Sequence, residues 1–175
     1  MVSRNFTPFP ILTTERLTLR QLSTDDQQAI FALRSDTVIN KYLDRAPSKT
    51  IEDALNFINK INDLIQKNKS IYWVITLTET KIVVGTICLY DFSDEKNSCE
   101  IGYELMTKFQ GQGIMKESAE AVIAYAFQTM EADKIVAFTH KQNQHSTQLL
   151  TKLNFLPSPE TNKEHPDYTI FTLAR

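Results

Sequence analysis

Apolar and polar residues alternate along this chain in blocks whose period switches between two and about 3.6, and each switch marks an element. Leu12, Leu17 and Leu19, spaced by Thr and Arg, predict a strand over 11–20. Thr24-Asp25-Asp26-Gln27 then predicts the capped start of a helix carrying Ile30, Phe31 and Leu33. From Thr50 onward, Ile51, Ala54, Leu55, Ile58, Ile61 and Ile65 follow an i, i+3, i+4, i+7 series, which predicts an amphipathic helix over 50–67 with one side on the core. Runs rich in β-branched and aromatic residues follow at 72–77, 82–90 and 100–105, joined by polar links such as Ser93-Asp94-Glu95-Lys96-Asn97. Three such strands with short links predict an antiparallel meander. After Gly113 the period becomes helical again through Met115, Ala119, Val122, Ile123, Ala126, Phe127 and Met130. A strand over 134–140, a helix over 143–153 with Leu149, Leu150 and Leu153 on one side, and a strand over 168–174 complete the reading. No repeat or Gly/Ser linker divides the chain. Residues 1–10, with Pro8 and Pro10, read as an N-terminal arm and 11–175 as one domain.

Composition mainly excludes. The chain has 175 residues with 42% hydrophobic and 23% charged, the profile of an ordinary globular protein long enough to bury a core. Nineteen Lys and Arg against 21 Asp and Glu leave a net charge of −2, which argues against nucleic acid or a membrane surface as the main partner. No apolar run approaches the ~18 residues of a membrane span and the N-terminus lacks a signal-peptide core, so a cytoplasmic location is expected. Cys88 and Cys99 have no CxxC spacing and read as packing residues. His140, His145 and His165 lack the partners of a metal motif, so no metal is expected; they read as surface or loop residues, His145 lying within reach of a ligand at the neighbouring Asn143 and Ser146.

Glycine usage points to one region. The chain has four glycines, and three of them fall between Gly102 and Gly113. The stretch Gln110-Gly111-Gln112-Gly113-Ile114-Met115-Lys116 reads as a loop that leads from a strand end into a helix N-terminus, where free N–H groups and the helix dipole favour a phosphate. The Walker pattern is absent and Lys116 interrupts the dinucleotide GxGxxG pattern. On these residues alone a phosphate cradle, nucleotide binding through GxG and a structural turn all stand. Gly102 reads as a strand position of close backbone approach, and Gly85 as a bulge or packing site.

Three motifs in order narrow the reading. The strand Glu100-Ile101-Gly102-Tyr103-Glu104-Leu105 precedes the Gln110–Lys116 loop, and Asn143-Gln144-His145-Ser146 opens a later helix that ends Lys152-Leu153-Asn154-Phe155. This arrangement resembles the GNAT N-acetyltransferase superfamily over roughly 11–175, in the branch that contains ribosomal-protein-alanine N-acetyltransferases. Gln110 and Gly113 match the Gln/Arg-x-x-Gly-x-Gly/Ala signature; Met115 stands where a small residue is usual, and Asn154 where glycine often precedes the aromatic. The resemblance implies an α/β fold with a mixed, mostly antiparallel central sheet of six to seven strands flanked by helices, and a splayed strand pair that admits acyl-CoA. It implies acetyl-CoA as cosubstrate, its pantetheine pairing with backbone near Leu105 and Met106. The diphosphate would sit on Gln110, Gly111, Gln112, Gly113, Ile114, Met115 and Lys116, and Asn143 and Ser146 would face the pantetheine and sulfur end.

Acetyl transfer to an amine needs a base for the ammonium proton and donors for the oxyanion. Glu100 matches a carboxylate position used this way in the family, and Glu104, on the same strand face, is the second choice. A solvated or ion-paired strand carboxylate is the alternative for Glu100. Ser146 is the candidate proton donor to the departing thiolate, against a helix-cap role. Tyr42, Tyr72, Trp73, Tyr90, Phe92 and Tyr103 are candidates to wall an acceptor groove or to fill the core. The branch implies direct attack by a primary amine, first a protein N-terminus such as that of a ribosomal protein. A small amine (polyamine, amino acid or antibiotic) and a non-catalytic acyl-CoA sensor are the alternatives, and a homodimer is a compatible assembly.

Overall fold

In the computed structural model of the chain, which describes residues 1–162 and 164–175, the period-two and period-3.6 blocks become eight strands and five helices. Strands β1 (Leu12–Thr13) and β2 (Leu17–Gln21) form a hairpin where a single strand was expected, because Thr14 N–H donates to Leu17 O at 2.9 Å and turns the chain. The first helix begins one residue earlier than the Thr24 cap predicts. Ser23 and Asp26 form the reciprocal capping box, a 3-10 turn follows, and α1 runs Gln27–Ser35. Asp26 is buried because it also takes a two-pronged contact from Arg20 at 2.7 and 2.9 Å. A one-turn helix α2 (Thr37–Asn40), too short for periodicity to reveal, is capped by Asp36. Helix α3 (Ile51–Gln66) starts at Thr50 as expected, with Asp53 completing its capping box.

β3 (Ile71–Leu77), β4 (Val83–Ser93) and β5 (Ser98–Leu105) form the antiparallel meander. Gly85 faces a register shift in β3, and a Cβ there would lie 2.4 Å from Glu104 O, so both readings of this glycine meet at one position. Helix α4 (Ile114–Gln128), β6 (Lys134–His140), α5 (Gln144–Lys152), β7 (Leu156–Thr161) and β8 (Tyr168–Ala174) follow. The sheet order is β1-β2-β3-β4-β5-β6-β8-β7, mixed and mostly antiparallel. It has eight strands where six to seven were expected. The additions are the split at the start and β7, whose Pro157 and Pro159 disguise it; prolines are tolerated there because β7 is an edge.

The core lies between this sheet and the helices. Trp73 is fully buried, and its indole N–H donates to Pro10 O at 2.8 Å. The first ten residues run along the domain: Val2 and Phe6 are buried, and Ser3 N–H donates to Met130 O at 2.8 Å. Asn154, at the position where the family resemblance expects glycine, has φ of +65° and closes α5 with a Schellman pair, Phe155 N–H to Leu150 O and Asn154 N–H to Thr151 O, both at 3.0 Å. Asparagine tolerates that conformation better than most residues, which accounts for the exchange. No described helix is long and apolar enough to cross a membrane.

Candidate active site

The sheet opens in its middle. β5 and β6 are parallel partners only through Ser98–Lys134, Cys99–Ile135 and Glu100–Val136. Beyond that point β5 stays paired with β4 as far as Leu105, and β6 with β8 as far as His140, so the two strands diverge. Met106 N–H donates to Val84 O at 2.9 Å, and Met106 O accepts from Phe109 N–H at 2.9 Å. Both backbone groups of Met106 are therefore engaged, which removes it from the edge expected to pair with a ligand. Because strand groups alternate sides, Tyr103 and Leu105 face the gap instead. Leu105 O there accepts from the Gln110 side chain at 3.0 Å.

At the wide end, Gln110 to Gly113 lead into α4. Gly111 and Gly113 have φ of +75° and +77°, the left-handed region that glycine enters without strain. A Cβ at Gly111 would meet nothing within 4 Å, so backbone conformation and not crowding selects glycine there. The first bond of α4 is Glu117 N–H to Gly113 O at 3.0 Å. Among the described residues no acceptor takes the N–H groups of 111–116, which leaves a run of donors at an exposed helix start. Ile114 and Met115 send their side chains into the core, so they present only backbone to a ligand. Lys116 Nζ is 2.5 Å from Glu120 Oε1, and Gln112 Nε2 donates to Lys108 O at 3.0 Å.

Arg16 is the residue here that motif reading missed. Its Nη1 donates to Gln112 O at 3.1 Å and its Nε to Glu117 Oε2 at 2.7 Å, which ties the N-terminal hairpin to the loop. Burial opposes ionisation of Glu117, but hydrogen bonds from Thr14 and Arg16 outweigh it and hold the carboxyl below its usual range. The two partners lie about a hundred residues apart in the chain, and no local pattern links them.

At the closed end a cavity of about 490 Å³ is lined by Glu100, Tyr103, Asn143 and Ser146, with Tyr42 and Tyr168 at its outer wall. Glu100 is half-buried and faces Tyr90 across the β4–β5 register; Tyr90 OH donates to Glu100 Oε1 at 2.7 Å. Burial pushes the Glu100 carboxyl above its ordinary pKa, the Tyr90 hydrogen bond offsets part of this, and Asp91 adds to the rise. Glu104 does not line the cavity. Its carboxylate is buried against Arg45 Nη2 at 2.5 Å, with Thr86 Oγ1 at 3.4 Å, which disqualifies it as the alternative base. Glu104 is thus an ion-paired strand carboxylate, one of the two alternatives considered for Glu100.

Asn143 is the cap of α5 and accepts from Ser146 N–H at 3.3 Å. The cap role therefore belongs to Asn143, and the Ser146 hydroxyl is left to meet Tyr103 OH at 2.9 Å. Burial pushes the Tyr103 phenol up to about 12, against the Ser146 hydrogen bond. His145 is exposed and outside the cavity, whereas His140 and His165 line it. Of the candidate aromatics, Tyr42, Tyr90 and Tyr103 reach the cavity; Tyr72 and Trp73 are core, and Phe92 packs on Phe6. Burial pushes the Cys88 and Cys99 thiols up to about 12, which suits packing and not nucleophilic chemistry. Among the described residues no three His, Cys, Asp or Glu converge as a metal centre would require.

The fold that carries this site recurs in known proteins. A solved acetyltransferase of the GNAT family from Bacillus anthracis superposes with a TM-score of 0.82 at 24% identity, over 94% of this chain and 98% of that one. A ribosomal L7/L12 alpha-N-protein acetyltransferase in complex with coenzyme A gives 0.83 at 18% identity, over 94% and 98%. In sequence, the uncharacterized N-acetyltransferase YoaA of Bacillus subtilis is 33% identical over 147 residues, 84% of this chain and 83% of that protein. The [ribosomal protein uS5]-alanine N-acetyltransferase of Escherichia coli is 28% identical over 102 residues, 56% and 51%. Residues 16–156 match the sequence model of the acetyltransferase (GNAT) domain, which places this chain in the GNAT family of N-acetyltransferases.

Proposed function

We propose that this enzyme moves an acetyl group from acetyl-CoA to a primary amine by direct attack, with the N-terminus of a protein as the acceptor. The observation that carries the reading is the β5–β6 splay, which links unpaired N–H groups at 111–116 to the cavity holding Glu100. The diphosphate lies on the backbone of Gln110 to Lys116, and the pantetheine amides pair with the gap-facing edge at Tyr103 and Leu105. The acetyl carbonyl then arrives beside Ser146 and Tyr103, with Asn143 holding the helix start that presents Ser146.

The amine lone pair attacks the thioester carbon, a C–N bond forms, and the C–S bond breaks as the tetrahedral intermediate collapses. Glu100, raised in pKa by burial and oriented by Tyr90, accepts the ammonium proton. The Ser146 hydroxyl, hydrogen-bonded with Tyr103 OH at 2.9 Å, passes a proton to the departing thiolate and is reprotonated from water, to which Glu100 releases the proton it took from the amine. Ser146→Ala is expected to lower kcat about tenfold with acetyl-CoA affinity unchanged. An unchanged kcat would transfer protonation of the thiolate to water or to Tyr103.

Release of free thiol from acetyl-CoA, measured against peptides with free N-termini and against small amines, tests the proposal. Turnover with the peptides is the expected result. Turnover of small amines alone would reassign the acceptor class, and acetyl-CoA binding without turnover of any amine would make the protein a sensor.

A further inference from the structure

The irregular segment 41–49 between α2 and α3 is tied to both sides of the splay. On the β6–β8 side, Tyr42 stacks on His140 with ring centroids 5.2 Å apart, and Tyr42 O accepts from Tyr168 OH at 2.8 Å. On the β5 side, Arg45 Nη2 lies 2.5 Å from Glu104 Oε2, and Arg45 Nε donates to Asn40 Oδ1 at 2.7 Å. Asn40 is itself buried and fixed, its Nδ2 donating to Leu33 O at 3.0 Å and Asp36 O at 2.7 Å. Between these two attachments the segment contributes Tyr42, Leu43 and Asp44 to the wall of the cavity that contains Glu100.

The Arg45–Glu104 contact is better protected than a surface pair, with the two side chains only 23% and 7% exposed. A surface ion pair adds little, but one held out of water with further hydrogen bonds fixes geometry. Glu104 thus has a task that its position on the same strand face as Glu100 did not reveal. Two carboxylates four residues apart divide the work: one opens into the cavity, and the other holds down the segment that walls it.

We infer that Arg45 and Glu104 are positioning residues that hold the 41–45 strap across the splay and so set the acceptor end of the cavity. The inference rests on the proposal that this cavity receives the acceptor amine. Displacement of a wall by about an ångström costs a reaction far more than it costs the fold. Loss of the clasp therefore weakens the acceptor's placement and leaves the cosubstrate, which is held by the backbone edge at Tyr103 and Leu105 and by the 110–116 loop, undisturbed.

The test uses Arg45→Gln in the full chain. This substitution leaves Glu104 near a second guanidinium, Arg34, and so avoids stranding a carboxylate without a cation. The expected result is an acceptor KM raised roughly tenfold with kcat within about twofold and acetyl-CoA affinity unchanged. Amide exchange is expected to speed up over 41–49 and stay unchanged in α1 and α3. Arg45→Lys, which keeps the charge but not the fork, is expected to recover part of the KM. Unchanged acceptor KM with unchanged exchange over 41–49 would overturn the inference, as would equal losses in acceptor and acetyl-CoA affinity. If no amine is turned over, the proposed function fails, and the exchange measurement alone decides whether the clasp holds the strap.

Discussion

Gly113→Glu is expected to weaken acetyl-CoA binding by about 100-fold or more while leaving a folded protein, read by calorimetric titration beside a thermal melt. The position has φ of +77°, so any side chain there costs about 1–2 kcal/mol of backbone strain. A Cβ at this position would lie 3.5 Å from Arg16 Nη2, which is ordinary contact, and Arg16 offers the new carboxylate a partner in the free protein. Binding is another matter. The run of N–H groups from 111 to 116 is the proposed diphosphate cradle, and a negative charge placed beside a diphosphate costs several kcal/mol, each 1.4 of which is a factor of ten. Gly113→Ala separates the two effects, since it carries the strain without the charge and is expected to lose only a few-fold in affinity. Unchanged affinity in Gly113→Glu would remove the diphosphate from this loop.

Glu100→Gln is expected to lower kcat/KM by roughly 100-fold or more, the range of a lost general base. The pH dependence carries the sign. Burial raises the pKa of Glu100, so the carboxylate is available only above a threshold that lies higher than the ordinary carboxylate range. The acid limb of the wild-type profile should sit at that raised value, and the variant should lose this limb. The deficit should be largest between that limb and the pKa of the acceptor amine, where the carboxylate is present and a proton must be removed, and should shrink on either side of that window. Stability moves the other way. A carboxyl whose pKa is raised on folding supports the fold below its unfolded pKa and withdraws that support as pH rises through the folded value, so Gln at 100 should not lower Tm at neutral pH. A variant with an undiminished rate would reassign the proton to water, since Glu104 is already engaged by Arg45.

The order of elements was legible in the chain because each carries its own period and its own stops. The strands at 134–140 and 168–174 and the helix capped by Thr50 stand where their patterns put them. The misreadings share a cause. The one-turn helix α2 and the hairpin at Thr14 are shorter than a period, and the prolines of β7 obey an edge-strand rule that cannot be applied until the sheet order is known.

The candidate site divides along the same line. The loop with Gly111 and Gly113, the cap at Asn143 and the carboxylate at Glu100 are local: each is a residue type at a spacing that backbone chemistry explains without the rest of the molecule. Which groups face one another is not local. That Tyr90 meets Glu100 follows from register, that Ser146 meets Tyr103 follows from the start of α5 reaching β5 in the folded chain, and that Arg16 reaches Glu117 requires contact across about a hundred residues. The two glutamates of one strand face are indistinguishable by pattern. Only the folded chain, by bringing Arg45 onto one and the cavity onto the other, separates a carboxylate that lines the cavity from one ion-paired in place, because burial and charge partners are properties of the assembled interior.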